Sequence, residues 1–182
     1  EAGNILKNGG LVAFPTETVY GLGADALKEE AAKKTYAAKG RPSDNPLILH
    51  IADMEQFYPL IKTDNEKIIA RAEALADVFW PGPLTMILPK ADNIPYETTG
   101  GLDTVAIRMP SHLVARALLQ ECKMPIAAPS ANLSGRPSPT SASHVIEDMN
   151  GRIEMIIDGG DVGIGVESTI IDLTGEVPML LR

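Results

Sequence analysis

The sequence has one cysteine and few aromatic side chains. Cys122 has no partner for an internal disulfide, and aromatic residues make up 4% of the 182 residues. The core must therefore be built mainly from aliphatic residues, and a lone thiol fits a reducing, cytoplasmic location. Because Cys122 ends an apolar helical pattern, we expect it to be a buried thiol rather than a catalytic one.

Long apolar runs and an excess of positive charge are also missing. No run approaches the roughly 20 apolar residues that span a bilayer, and no signal-peptide pattern opens the chain, so we expect no membrane segment. The net charge of −8 disfavours broad, non-specific attraction to nucleic acid or anionic lipid. A local basic pocket is still compatible with that charge.

Several motifs that would identify a site directly are absent. The chain contains no Walker-type phosphate loop, no dinucleotide-binding glycine pattern, no nucleophile elbow and no Cys/His spacing typical of metals. The glycine-rich run at 159–165 lacks both the Rossmann spacing and a following helix. We interpret it as a connection into the last strand rather than as a phosphate cradle.

What the sequence does contain is an alternation of short apolar runs with helical patterns. Strands are predicted at 11–14, 47–51, 84–88, 105–108, 125–128, 153–157 and 166–173. Helices are predicted at 26–38, 64–79, 111–121 and 141–149. Interleaved strands and helices with this irregular spacing predict an α/β fold with a mixed, twisted sheet.

Local signals predict how these elements begin and how they are joined. Asp25 is expected to cap the first predicted helix, and Thr63 with Glu66 forms a candidate capping box for the second. The long connection from 89 to 104 contains Gly100-Gly101 as a candidate hinge. The length predicts one domain over 1–182, with a further C-terminal domain after Arg182 left open.

Two cationic segments are candidates for binding an anion. Lys39-Gly40-Arg41 places two cations in a loop stiffened by prolines, and a guanidinium fork beside an ammonium suits phosphate. The alternative is a solvated helix end whose cations complement the helix dipole. Arg108 ends a strand, where ligands of α/β sheets bind, so it is expected either to bind a carboxylate or phosphate or to form a structural ion pair.

Two further segments are rich in small and hydroxyl residues. The stretch at 128–140, with Ser130 and Asn132, lets the backbone approach a ligand closely, but it also suits a turn-rich connector. The stretch at 15–23 is either a polar wall of a site or an ordinary loop. His50 lies inside an apolar strand, which is typical of a core or rim residue rather than a base.

Together these segments resemble the YrdC-like (TsaC/YrdC/YwlC) threonylcarbamoyl-AMP synthase family. The resemblance is carried by six motifs in order: PTETVYGLG at 15–23, KGRPSDNPLILHI at 39–51, WPGPLT at 80–85, VAIRMP at 105–110, APSANLSGRPSPT at 128–140 and GVESTIIDL at 165–173. It implies an α/β fold in which a twisted mixed sheet, flanked by helices, curls around a large concave cleft.

The resemblance also implies an activity. Members of the family are cytoplasmic nucleotidyltransferases that condense L-threonine, bicarbonate and ATP to threonylcarbamoyl-AMP and pyrophosphate. The product feeds the threonylcarbamoyl modification of adenosine 37 in ANN-decoding tRNAs, so tRNA and the downstream transfer proteins are candidate partners. Mg²⁺ is expected through the ATP phosphates rather than at a protein metal site. A carbamoyl-adenylate-forming domain and a non-catalytic RNA-binding module are the alternative functions.

The site residues of the family map onto this chain by motif position. The catalytic cations would be Lys39 and Arg41. The implied ATP contacts are Lys39, Arg41, Asn45, Thr104, Ser130, Asn132, Ser138 and Arg182. The implied threonine contacts are Thr18, His50, Arg108, Ala128 and Ser168, so His50 gains a ligand role by resemblance alone.

Overall fold

The structure, a computed structural model, describes residues 1–182. Its helices are α1 (Ala2–Lys7), α2 (Glu29–Lys39), α3 (Met54–Phe57), α4 (Glu66–Phe79), α5 (Leu113–Cys122) and α6 (Ala142–Met149), with a 3₁₀ turn at Tyr58–Leu60. Its strands are β1 (Val12–Pro15), β2 (Tyr20–Asp25), β3 (Ile48–His50), β4 (Leu84–Pro89), β5 (Thr104–Arg108), β6 (Ile126–Ala127), β7 (Met155–Ile156), β8 (Thr169–Asp172) and β9 (Met179–Leu180).

All nine strands join in one mixed sheet. Their order across the sheet is β7-β1-β2-β6-β3-β5-β4-β8-β9. The pairs β1/β7, β3/β5 and β4/β8 are parallel, and the other five pairs are antiparallel. Helices flank this sheet, which confirms the predicted α/β class.

Side-chain alternation separates a core face from an open face in the central strands. Leu49 of β3, Met86 of β4 and Ile107 of β5 belong to one apolar cluster of 21 buried residues. Helix α4 closes this cluster through Ile68 and Ala72. Because successive strand residues point to opposite sides, the residues between these apolar ones face the other way.

Strand β1 is buried on both faces because helices pack against each side of it. Ala13 belongs to the cluster that contains Val145 of α6. Phe14 belongs to the cluster that contains Leu118 of α5. This double burial explains why the strand is a continuous apolar run rather than an alternating one.

Strand β2 was not predicted, and its glycines explain why. Gly21 and Gly23 give it a low apolar content on one face, which resembles a loop in sequence. A Cβ added at Gly23 would lie 2.9 Å from Cε1 of Phe14 and 3.1 Å from Cγ2 of Ile126. Glycine is required there because the neighbouring side chains fill the space that a side chain would need.

The predicted caps are wrong at two helices. Asp25 Oδ1 accepts from the backbone N–H of Leu27 at 3.1 Å, ahead of the point where α2 begins. Asn65 rather than Thr63 caps α4, and its Oδ1 accepts from the N–H of Lys67 at 3.1 Å. In both places an Asx-type bond to the residue two positions on decides the local backbone.

The 89–104 connection is packed against the body of the fold, so the predicted hinge is wrong. Thr98 is buried; its hydroxyl donates to the carbonyl of Ala26, and its own carbonyl accepts from the N–H of Leu47. Gly100 has φ +62, and a Cβ there would lie 2.8 Å from the carbonyl oxygen of Asp44. This close backbone approach leaves room only for glycine.

Cys122 is buried at the end of α5, as predicted. None of the helices combines the length and the apolar character that crossing a bilayer requires.

Gly23→Ala tests the packing of β2 against β1. We expect the free energy of unfolding to fall by about 1–3 kcal/mol, because the added methyl group overpacks a filled space. Gly163→Ala is the matched control, since nothing lies within 4 Å of a Cβ at that position. Urea denaturation of both variants measures the difference, and equal stability would contradict the packing argument.

Candidate functional site

A cleft of about 480 Å³ lies on the open face of the sheet. All but one of the predicted site residues line it: Thr18, Lys39, Arg41, Asn45, His50, Arg108, Ala128, Ser130, Asn132, Ser138, Ser168 and Arg182. The exception is Thr104, which begins β5 two residues before Ala106, a residue that does line the cleft. The fold thus brings residues from five of the six motifs to one surface. The motif at 80–85 contributes none.

The cleft is strongly cationic although the chain as a whole is acidic. Its lining contains five cations and one carboxylate: Lys39, Arg41, Arg108, Arg136, Arg182 and Glu167. Sequence reasoning did not select Arg136 or Glu167. Both lie inside the motifs at 128–140 and 165–173, so motif membership was a signal, but their residue types alone fit a solvated loop equally well. Such a charge distribution favours an anionic ligand.

Lys39 physically joins the two segments that sequence reasoning singled out. It is the last residue of α2, and Gly40 then turns the chain with φ +60. Its Nζ donates to the carbonyl oxygens of Ser130 and Asn132, the latter at 2.6 Å, and lies 3.4 Å from Oδ1 of Asn132. Burial, and then the charge of Arg41, lowers the pKa of Lys39 to about 7.

The loop that accepts these bonds is itself held in place. Nδ2 of Asn132 donates to the carbonyls of Leu133 and Arg136 at 2.9 and 2.8 Å. Asp148 of α6 accepts from the N–H of Leu133 at 2.9 Å and from Nη1 of Arg136 at 2.5 Å. Every one of these bonds uses a polar group of the loop, so the wall of the cleft is pre-organised rather than a loose connector.

The guanidinium of Arg41 has unused hydrogen-bond donors. Its Nη2 donates to the carbonyl of Pro46 at 3.2 Å, whereas its Nε is buried with no hydrogen-bond partner. Burial lowers the pKa of Arg41, but a guanidinium stays charged in proteins. A buried cation with unused donors favours binding of an anion from the cleft.

A hydroxyl chain connects Arg108 to the loop between β1 and β2. Nη1 of Arg108 donates to Oγ1 of Thr18 at 2.9 Å. Oγ1 of Thr18 lies 2.9 Å from Oγ1 of Thr16, which donates to the carbonyl of Val19 at 2.7 Å. Thr18 therefore accepts from Arg108 and donates to Thr16. The side chain of Arg108 also forms an ion pair with Glu17 at 2.7 Å.

His50 is a neutral hydrogen-bond acceptor toward the cleft. Burial, and then the charge of Arg108, lowers the pKa of His50 to about 3. Its Nδ1 lies 3.2 Å from the carbonyl oxygen of Ile48. Because a carbonyl only accepts, Nδ1 carries the ring hydrogen and Nε2 is left with a free lone pair. His50 is buried, as expected for a core or rim residue, and it also lines the cleft.

The far rim of the cleft is formed by polar groups around β8. Oγ of Ser168 lies 2.7 Å from Oγ1 of Thr85, and its carbonyl accepts from Nε of Arg182 at 3.0 Å. Ser138 donates to Oε1 of Glu167 at 2.5 Å. These contacts link the start of β8 to both the chain end and the 128–140 loop.

The glycine-rich run at 159–165 is a connection, as interpreted from the sequence, and it is fixed by hydrogen bonds. The hydroxyl of Tyr20 donates to the carbonyl of Gly160 at 2.7 Å and accepts from the N–H of Gly159 at 3.1 Å. The N–H of Gly165 donates to the carbonyl of Thr18 at 2.9 Å. Tyr20 thus supports this segment from behind instead of lining the cleft.

A mixed sheet flanked by helices, with a cationic cleft on its open face, is an α/β arrangement that favours an anionic ligand. The sequence profile of the Sua5/YciO/YrdC family, described as "Telomere recombination", matches residues 4–182. The chain therefore belongs to the Sua5/YciO/YrdC family, which confirms the resemblance seen in its motifs.

The chain is similar in sequence to threonylcarbamoyl-AMP synthases from an archaeon and a bacterium. It is 61% identical to the threonylcarbamoyl-AMP synthase of Pyrococcus abyssi and 57% identical to that of Bacillus subtilis, covering 100% of this chain and 52% of each relative. The structure of P. abyssi Sua5 complexed with L-threonine matches with a TM-score of 0.95 at 61% identity, over 100% of this chain and 52% of that one. The chain spans about half the length of these relatives.

The low pKa of Lys39 predicts that ATP, the ligand implied by the family resemblance, binds with uptake of a proton. An anion beside Nζ raises the pKa of the amine from its value in the free protein, so binding above pH 7 must add the missing proton. The Kd for ATP should therefore rise between pH 7.5 and 8.5 by up to about tenfold. Calorimetry in buffers of different ionisation enthalpy counts the proton.

Lys39→Met is the control for this pH dependence. It removes the titrating amine but keeps a side chain of similar length. We expect weaker ATP binding whose Kd no longer changes over this pH interval. An unchanged pH slope in this variant would assign the proton to another group. His50 is excluded as that group, because its pKa of about 3 lies far below the interval.

Proposed function

We propose that the chain is a threonylcarbamoyl-AMP synthase, which condenses L-threonine, bicarbonate and ATP to threonylcarbamoyl-AMP and pyrophosphate. The observation that carries this proposal is one cleft with two chemically different halves. One half presents Lys39 and Arg41, and the other presents Arg108 with Thr18 and His50. The names of the P. abyssi and B. subtilis relatives support the same activity.

In this proposal the cationic half binds ATP. Lys39 and Arg41 neutralise phosphate oxygens, and Arg41 has an unpartnered buried nitrogen for the purpose. Ser130 and Asn132 form a stiff wall for the nucleotide, and Asn45, Ser138 and Arg182 border the same space. Thr104 does not line the cleft. It begins β5, and Ala106, two residues further along the same strand, does line the cleft.

The other half binds threonine. Arg108 is a partner for the amino-acid carboxylate, because its planar donors match a carboxylate bidentately. Nε2 of His50 accepts a hydrogen bond from the hydroxyl or amino group, and Thr18 and Ser168 are further polar partners beside the small Ala128. A site that satisfies a substrate hydroxyl in this way rejects analogues that lack it.

The reaction needs positioning and charge neutralisation more than a protein nucleophile. The threonine amine combines with CO₂ or bicarbonate to give a carbamate, whose oxygen attacks the α-phosphorus while pyrophosphate leaves. Holding the two reactants in line and neutralising the phosphates accounts for catalysis of this kind. Lys39 and Arg41 supply the positive charge, which is why we assign the catalytic role to them.

Mg²⁺ would enter this site together with ATP. The structure contains no group of three His, Cys, Asp or Glu side chains placed to hold a metal by themselves. Magnesium commonly keeps several waters and binds through substrate phosphates with few protein ligands. The lining of the cleft fits that mode, with Glu167 as its one carboxylate.

The wider role proposed for the product is in tRNA modification. Threonylcarbamoyl-AMP would donate its threonylcarbamoyl group to adenosine 37 of ANN-decoding tRNAs, through cytoplasmic transfer proteins that act downstream. The net charge of −8 disfavours broad, non-specific attraction to RNA, so in this proposal tRNA is contacted mainly by those transfer proteins.

The activity assay is direct. The protein, incubated with ATP, Mg²⁺, bicarbonate and L-threonine, should release pyrophosphate and form an adenylate of the mass of threonylcarbamoyl-AMP. Replacing threonine and bicarbonate by carbamoyl phosphate should abolish turnover, which separates this activity from carbamoyl-adenylate formation. Turnover that does not need threonine, or no turnover at all, would refute the proposal.

Alanine at either proposed catalytic cation tests the assignment. Lys39→Ala and Arg41→Ala should each lower kcat/KM at least tenfold, a loss of about 1.4 kcal/mol of transition-state stabilisation. Lys33→Ala is the matched control, because Lys33 lies on the same helix but is exposed and pairs with Glu29 and Glu30. Wild-type rates in the two cleft variants would contradict the roles given to them.

A further inference from the structure

Glu17 is a buried carboxylate placed directly behind the wall of the cleft. Its neighbours Thr16 and Thr18 line the cleft, whereas Glu17 does not. Its side chain is 14% exposed, and that of its ion-pair partner Arg108 is 4% exposed. Neither its motif position nor the proposed activity gives this carboxylate a role.

Three residues from two parts of the chain hold the Arg108 guanidinium. Nη1 donates to Oγ1 of Thr18 at 2.9 Å, and Nε donates to the carbonyl of Gly82 at 3.3 Å. Nη2 lies 2.7 Å from Oε1 of Glu17. That last contact lies outside hydrogen-bond geometry, so Nη2 and both Glu17 oxygens are buried without a hydrogen-bond partner. Glu17 therefore acts on Arg108 through charge.

This arrangement leaves donors on Arg108 for a ligand. A guanidinium has five N–H donors, of which one on Nε and one on Nη1 are already used. The remaining hydrogens are one on Nη1 and two on Nη2, the two nitrogens of an end-on bidentate pair. Nη2 is buried and is also the nitrogen that pairs in charge with Glu17. Arg108 also lines the cleft, where a ligand carboxylate would approach.

The two charges depend on each other. Burial raises the pKa of Glu17, but the positive charge of Arg108, 2.7 Å away, is the largest of the opposing effects that together hold this pKa below its ordinary value. Burial lowers the pKa of Arg108, and Glu17 opposes that effect. A guanidinium this deeply buried needs a counter-charge, because removing one partner of a buried pair leaves an uncompensated charge.

We propose that Glu17 is a positioning residue, which holds the Arg108 guanidinium so that its free terminal donors face the carboxylate of the amino-acid substrate. The inference rests on the proposed function, because that carboxylate is the one of threonine. Glu17 does not touch the substrate. It acts through Arg108, while Thr18 and Gly82 fix the other two sides of the same group.

Glu17 has a second effect of opposite sign. Its negative charge repels an incoming carboxylate, and on this ground alone its removal would tighten threonine binding. We expect orientation to outweigh repulsion, because a bidentate pair forms only when the guanidinium plane and its two donors are fixed. The sign of the change in affinity therefore decides between the two effects.

The test compares threonine with L-threoninamide, which keeps the amino and hydroxyl groups but has no carboxylate. In wild-type protein we expect threonine to bind at least tenfold more tightly than the amide. In Glu17→Ala that ratio should fall to within about threefold of one, with threonine affinity at least tenfold weaker and the KM for ATP within twofold of wild type. Glu17→Gln keeps an oxygen acceptor beside Nη2, so it should recover part of the ratio. It also provides the measurement if the alanine variant does not fold.

Asp25→Asn is the matched control, because Asp25 is also a buried carboxylate paired with a cation, Lys28, but lies outside the cleft. It should leave the threonine-to-amide ratio unchanged. An unchanged ratio in both Glu17 variants, tighter threonine binding, or equal losses for threonine and the amide would each overturn the inference. If wild-type protein binds no threonine at all, the proposed function fails first, and that result is distinguishable from the others.

Discussion

The arrangement of the cleft depends on one buried ammonium group. Lys39 ends α2 and donates directly to the backbone carbonyls of Ser130 and Asn132, so one cation joins two segments about 90 residues apart in sequence. Its acceptors are carbonyls and not carboxylates. Burial, and then the charge of Arg41, outweighs the opposing charge of Asp148 and lowers the pKa of Lys39. The Lys39 amine, which connects α2 to the 128–140 loop, is thus also a group whose charged form a bound anion would stabilise.

The alternation of side chains in the sheet places polar site residues directly beside the apolar core. In β3, β4 and β5 alternate residues enter the 21-residue apolar cluster, and five of the residues on the other face line the cleft: Ile48, His50, Ile87, Ala106 and Arg108. His50 lies beside Arg108 in the parallel pair of β3 and β5, and Arg108 lies opposite Thr85 of β4. Register alone therefore sets the spacing of these three side chains, without help from flexible loops.

The sequence predicted most of the architecture, because its strong signals were patterns that extend over several consecutive residues. The apolar run before Pro15 and the helical spacing from Ile68 to Ala76 persist in the structure. Single-residue signals failed where tertiary contacts determine the local structure. Gly23 is typical of a turn in sequence, but it lies in a strand, where Phe14 leaves no room for a side chain. In the site, the motifs contain nearly all of the lining residues, but motif position gave no role to Arg136, Glu167 or Glu17. The burial of the Glu17 carboxylate beside Arg108 is visible only in three dimensions.

The packing of the 89–104 connection has a consequence for how changes spread through the protein. Gly100 lies against the backbone of Asp44, and Thr98 bonds the N–H of Leu47, so this connection forms the outer support of the loop that carries Arg41 and Asn45. A bulkier residue at Gly100, which does not itself line the cleft, would displace that loop. The positions of Arg41 and Asn45 therefore depend on packing outside the cleft.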